Sequence, residues 1–370
     1  MIVVLMLLIP AFAAGSDETA AIEEIVGGMA GPGLAAPIIN GEEATEDDYP
    51  QAGAMLLHAY LDLGSYGEGE VKTITCSSTL IAPDVVMLAS HCLDEVSYTY
   101  GMGSMEIYEI RWSRQADLTE WDGTTRFPEW PEDSIAAIDW VEHEDFDLYT
   151  MSTGIAQNYD VALLFLETPV TDTPYAYLPT PDEGDQLYED APVTVVGWGM
   201  QVAGESAMDT PDPGTYAIKM QGESVVGEIG DYEFQVGPEE EDVRKCHGDS
   251  GGPTFANVET EATETLRVVG ITSHAFDRTD CKTKGGVDTR AFAYRDWIEA
   301  QMTARCEDGT RSWCEEYGLP LPPIPEPEVV ENNGGDDEKR RACACASATP
   351  GGSVMGLLLG AAALLRRRRA

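Results

Sequence analysis

Short apolar runs, broken at frequent intervals by turn-forming residues, constrain this chain more than any other feature. VTVVGWG at 193–199 and LRVVGITSHAF at 266–276 are rich in Val, Ile, Leu and aromatic side chains and lie between clusters of Gly, Pro, Asp and Thr. Helical periodicity is sustained only near AYRDWIEAQM at 293–302. Branched and aromatic side chains suit a pleated, half-buried surface, so the pattern predicts an all-β domain, a sandwich or a pair of barrels, ending in one helix. The 370 residues, 43% of them hydrophobic, are enough for a sizeable core. Basic residues number 22 against 66 acidic ones, a formal charge of −44. That balance excludes nucleic acid as the expected partner, because phosphate binding needs clustered Lys and Arg.

Both termini read as addresses. An apolar start followed by Ala11-Phe12-Ala13 predicts a signal peptide over 1–13, with a propeptide over 14–37. LPLPPIPEPEVVENNGGDDEKRR is too proline-rich and acidic to bury a core and predicts an extended linker over 319–341. The tail, 342–370, places a Cys pair, a short apolar run and Arg366 to Arg369 in the order of a segment held at a membrane by its basic end. It resembles the Myxo-type C-terminal sorting signal, which implies tail-processing machinery at the membrane as a partner. A secreted or surface-attached protein is expected from both ends, and it is read as a monomer.

In an exported protein the eight cysteines are expected in disulfides. Zinc is not expected, since no Cys-x-x-Cys occurs and the five His are scattered. The acidic run at 239–243 reads as a solvated loop, and no metal or cofactor is assigned.

CHGDSGGP at 246–253 carries the chemistry. Ser250 is a weak nucleophile unless a base takes its proton and donors stabilise the anion that follows. His91, at the end of the apolar run TLIAPDVVMLAS and directly before Cys92, is the candidate base. Asp160 is the one charged residue entering the buried run VALLFL, where an unpaired carboxylate would be costly, and a His N–H would satisfy it.

With these parts in view the chain resembles the trypsin and chymotrypsin family of serine proteases over residues 38–303. The resemblance rests on motifs in family order: IINGEEA with YP following, ASHC, YDVALL, GWG, CHGDSGGP, VVGITSHA, GGVDTR and YRDWI. It implies a trypsin-like fold of two six-stranded antiparallel β-barrels with a C-terminal helix, a protease domain over 38–318, and protein or peptide substrates. It also implies His91 as general base, Asp160 orienting it, Ser250 as nucleophile, and the backbone N–H groups of Gly248 and Ser250 as the oxyanion hole. The same resemblance implies the disulfides Cys76 with Cys92 and Cys246 with Cys281. Closing the first, a loop of 16 residues, is worth about 3 kcal/mol in the chain-entropy account. Cys306 and Cys314, beyond the family region, are expected to pair with each other. The alternative is a catalytically weak binding or adhesion module on the same fold.

The departures from the family pattern are informative. The interval from His91 to Asp160 is 69 residues, which predicts an insertion in the loops around residues 100–130. In the family a new N-terminal amine pairs with the Asp beside the nucleophile, here Ile38 with Asp249. IVGG at 25–28 is a rival start without the downstream Tyr-Pro, and Pro37 ahead of Ile38 argues against activation by a trypsin-like enzyme. The primary specificity pocket is expected among Arg244, Ser273, Ala275 and Gly286, with His274 where the family usually has Trp and Ala275 where it has Gly. Arg244 takes the position at the pocket base. A guanidinium there predicts cleavage after Glu or Asp. The alternative is that Arg244 turns towards the acidic run and leaves selectivity to Ala275 and Gly286.

Overall fold

The computed structural model describes residues 38–122, 125, 127–199, 216–245, 247–277 and 281–325, with backbone only at 281 and 282. The expected signal peptide, propeptide and tail, and the Cys246–Cys281 pairing, lie outside the described residues.

Two barrels of six antiparallel strands make up the fold. The first is closed in the order β2 (Ala52–Asp62), β3 (Glu68–Ala82), β4 (Val85–Leu88), β7 (Ala162–Leu166), β6 (Ile135–Glu142) and β5 (Ser104–Ser113). The second runs β9 (Met220–Ile229), β10 (Glu233–Val236), β13 (Gly286–Arg290), β12 (Leu266–Ala275), β11 (Pro253–Asn257) and β8 (Pro192–Gly197). β8 pairs back onto β9, and the short β1 (Glu42–Glu43) is added outside β9. This is the trypsin-like architecture that the motifs imply.

Strand sequences differ according to what covers them. β5 alternates exposed and half-buried positions along SMEIYEI, as expected where one face meets water. β4 (VVML) and β7 (ALLFL) are apolar without alternation, and every residue in both is buried. Their outer side is covered by the C-terminal helix, Arg295–Glu307, and the segment after it. Arg305 lies over the Phe165 ring at 4.3 Å, the Ser312 hydroxyl donates to the Leu166 carbonyl, and Arg311 binds Asp84 at 2.7 Å with both side chains fully buried. The Cys306–Cys314 disulfide closes this segment. The proline-rich stretch also begins on the barrel: Leu319 is buried, and Thr263 donates its N–H and hydroxyl to the Pro323 carbonyl. An apolar side chain and a carbonyl with two donors hold these residues where composition alone predicts an extended linker from 319 onwards.

Part of the long interval between His91 and Asp160 is regular structure, namely β5 and a turn at Thr119–Trp121 in which Trp121 stacks on Trp130 at 4.6 Å. The barrels meet where β3 of one faces the turn before β11 of the other. There the Ser77 N–H donates to the Ser250 carbonyl at 2.8 Å, and the Ser77 hydroxyl donates to the Gly248 carbonyl at 3.1 Å.

Candidate active site

His91 sits in a single 3-10 turn, Ser90–Cys92, directly after β4. Three attachments fix the turn: the Cys76–Cys92 disulfide to β3, the Ser90 hydroxyl donating to the Val161 carbonyl at 2.7 Å, and the Tyr98 hydroxyl donating to the Cys92 carbonyl at 2.6 Å. Cys76, His91 and Cys92 cluster closely enough to suggest metal ligands, but the two sulfurs are joined and supply no thiolate.

Asp160 lies just ahead of β7, whose first residue, Ala162, pairs with Leu88 at the end of β4, and it is completely buried. Its Oδ1 accepts the His91 backbone N–H at 2.9 Å, and its Oδ2 accepts His91 Nδ1 at 2.8 Å and the Ser273 hydroxyl at 2.6 Å. The buried carboxylate therefore has the donors that its environment demands. Burial works against its charge, yet the His91 charge and these hydrogen bonds hold its pKa below the ordinary value. Burial also pulls on His91, but Asp160, joined by Asp94, keeps the imidazole above its ordinary pKa.

The Ser250 turn is built from backbone that only glycine permits. Gly248 has φ +88°, and a Cβ there would lie 2.8 Å from the Gly199 Cα and 3.0 Å from the Tyr216 ring. Gly251, at φ +76°, backs onto Leu88 and Ala89, just ahead of His91, so the turn is pressed against the one that carries the imidazole. Ser250 is 8% exposed, and its hydroxyl enters no hydrogen bond among the described residues. Contacts between nucleophile and base are commonly loose without substrate. A part-buried imidazole held by a fully buried carboxylate, with a glycine-framed serine turn packed against the residues just ahead of it, is an arrangement of the kind acyl transfer requires.

The Trypsin family profile matches residues 38–298. The chain belongs to the trypsin family. The protease is 29% identical over 278 residues to chymotrypsin-like elastase family member 1 of Canis lupus familiaris, covering 72% of this chain and 93% of that one. It is 27% identical over 278 residues to trypsin of Saccharopolyspora erythraea, covering 72% and 99%, and 26% identical over 282 residues to the Spaetzle-processing enzyme of Drosophila melanogaster, covering 72% and 66%. It is a serine endopeptidase.

Of the residues expected around the specificity pocket of the protease, three come together and one diverges. Ala275 and Gly286 are cross-strand partners on β12 and β13, and Ser273 precedes them on β12. A Cβ on Gly286 would meet only the His274 carbonyl at 3.5 Å and the Lys245 carbonyl at 3.7 Å, so space remains there. The Arg244 side chain turns towards the loop before it, donating from Nη2 to the Glu240 carbonyl at 2.7 Å and from Nε to the Asp242 carbonyl at 3.3 Å. Both of these acceptors are backbone carbonyls of its own loop, whose oxygens need donors where the chain doubles back.

Sequence reading missed Lys245 and Asp288. The Lys245 ammonium lies 2.5 and 2.6 Å from the two Asp288 carboxylate oxygens and 2.6 Å from the Thr254 hydroxyl, and the ion pair is fully buried. Burial lowers the Lys245 pKa, and the Asp288 charge opposes that. A signal was present: Asp288 is the one acid in the strand GVDTR, as Asp160 is at the head of VALLFL.

Of the expected activation pair, Ile38 is 2% exposed, and its neighbour Ile39 exchanges backbone hydrogen bonds with Arg244 at 2.7 and 3.1 Å. Asp249 is fully buried, with Oδ1 accepting the Gly199 N–H at 3.1 Å.

Proposed function

We propose that the protease is a secreted or surface-attached endopeptidase that hydrolyses peptide bonds through an acyl-enzyme on Ser250. His91 is the general base, Asp160 orients and charges it, and the N–H groups of Gly248 and Ser250 receive the oxyanion. The observation that carries the reading is the pair His91 Nδ1–Asp160 Oδ2 at 2.8 Å, which leaves Nε2 as the ring nitrogen available to the serine. Export is supported by the Cys76–Cys92 and Cys306–Cys314 disulfides, which suit an oxidising compartment. Activation proceeds by cleavage before Ile38, whose freed amine pairs with Asp249. Support comes from the burial of both residues and from the Ile39–Arg244 bridge.

At the residue before the cleaved bond the reading is a small uncharged side chain. Arg244 is engaged with Glu240 and Asp242, and the Lys245 charge is balanced by Asp288. Several relatives carry the printed name elastase, which accords with this reading. A preference for Glu or Asp requires Arg244 to leave its two carbonyls. Incubation with a serine-directed phosphonate tests the mechanism: labelling of Ser250 in the processed protein is expected, and its absence overturns the reading in favour of a binding module.

A further inference from the structure

The His274 ring meets two acceptors at once. Its Nδ1 lies 3.0 Å from Ser273 Oγ and its Nε2 lies 3.2 Å from the Gly154 carbonyl. Ser273 has one hydroxyl proton, already directed at Asp160 Oδ2 at 2.6 Å. All three contacts are satisfied together only if the ring donates from both nitrogens, which an imidazolium does and a neutral imidazole cannot. The neutral ring must give one up. The Gly154 side is the firmer, because the Gly154 N–H also donates to the Phe276 carbonyl at 3.0 Å and holds its loop against β12. Glu233 pins the far end of that loop through the N–H groups of Ala156 and Asn158. A neutral ring that keeps its proton on Nε2 therefore turns a bare Nδ1 towards the same hydroxyl that Asp160 uses.

We infer that His274 is a positioning residue for the His91–Asp160 pair: in its neutral form it competes with Asp160 for the Ser273 hydroxyl and so strengthens the hold of the pair on the His91 proton. The inference rests on the proposed roles of His91 and Asp160. The sign follows from counting donors. A carboxylate that loses one donor is stabilised less in its charged form and attracts the neighbouring imidazolium more, so the His91 pKa rises. The groups acting on His274 are the Gly154 carbonyl, Asp160 and Asp288, which favour its protonation, and His91, which opposes it. Burial outweighs them and lowers the His274 pKa, whereas that of His91 is raised, so His274 is neutral while His91 titrates.

NMR titration of the histidine ring nitrogens in the full chain tests this without requiring turnover. In H274F, which keeps a ring but has no lone pair, the His91 midpoint is expected to fall by roughly 0.5–1 pH unit, the scale of one weakened hydrogen bond to a charged group. In Ser273→Ala the midpoint is expected to rise, and adding H274F to it should shift nothing further, because the shared proton is gone. His274→Met serves the same comparison if the aromatic variant does not fold. A His91 midpoint unmoved by the substitution at 274, or moved equally with and without Ser273, overturns the inference. A protein that shows the coupled shift but resists phosphonate labelling at Ser250 fails the proposed function and leaves the coupling standing.

Discussion

Asp160 and Asp288 are both carboxylates buried to zero exposure, yet they meet that cost in opposite ways. Asp160 is shared among three donors, a fixed backbone N–H and two that can redirect their protons, an imidazole and a hydroxyl. Asp288 is locked to a single full charge, the Lys245 ammonium, with the Thr254 hydroxyl between them. The first arrangement is suited to proton transfer because His91 can take up and release its proton. The second is suited to rigidity, because removing either partner leaves a bare charge in a dry site. The bonds that hold Asp160 come from both barrels, whereas the Lys245–Asp288 pair lies wholly within the second. The His91–Asp160 pair is thus braced from both barrels, and the Lys245–Asp288 pair is fixed inside one.

The largest expected effect breaks the Asp160 side. Asp160→Asn keeps the shape but loses the charge and the tautomer of His91, and kcat should fall on the order of 10⁴-fold with the fold retained by circular dichroism. Retention of most of the activity would end the claim that Asp160 serves proton transfer. On the other side, Lys245→Met leaves Asp288 unpaired and should cost about 3–5 kcal/mol in denaturant unfolding, while adding Asp288→Asn should recover much of it. Equal losses in the single and double variants would show that packing, not charge, holds that site.

A smaller effect lies in pH. Protonated His91 cannot accept the serine proton, and its pKa is raised in the folded protein. The acid limb of kcat/KM should therefore have its midpoint above the ordinary histidine value of about 6.5. The favourable His91–Asp160 interaction also contributes stability that is lost at both ends. It disappears as pH rises through the raised His91 pKa and as pH falls through the lowered Asp160 pKa. A kinetic midpoint at or below the ordinary value would contradict the pairing.

The smallest change is expected at Arg244. Because its guanidinium is occupied by the Glu240 and Asp242 carbonyls, Arg244→Ser should leave the peptide-library profile unchanged and cost about 1–3 kcal/mol of stability. Loss of cleavage after Glu or Asp in that variant would return Arg244 to the pocket and sharpen the contrast with Lys245.

The sequence by itself determined the architecture and singled out the candidate reacting groups. Runs such as VVML and ALLFL are too apolar to remain in water, CHGDSGGP places glycines where the turn needs positive φ, and an acid at the head of VALLFL demands a donor, so His91, Asp160 and Ser250 were legible from local context. The Cys76–Cys92 and Cys306–Cys314 disulfides followed from the family resemblance and from proximity in the chain. Only the tertiary structure decided which of two adjacent bases reaches a buried acid. Arg244 and Lys245 are neighbours, but successive side chains on an extended segment point to opposite sides, so one meets the carbonyls of its own loop and the other an acid 43 residues away. The two-sided His274 contact is likewise invisible in sequence, because it depends on a loop carbonyl 120 residues distant arriving at one ring nitrogen while Ser273 occupies the other. Local pattern fixes what a residue must avoid, and the partner that satisfies it is chosen by the chain that folds around it.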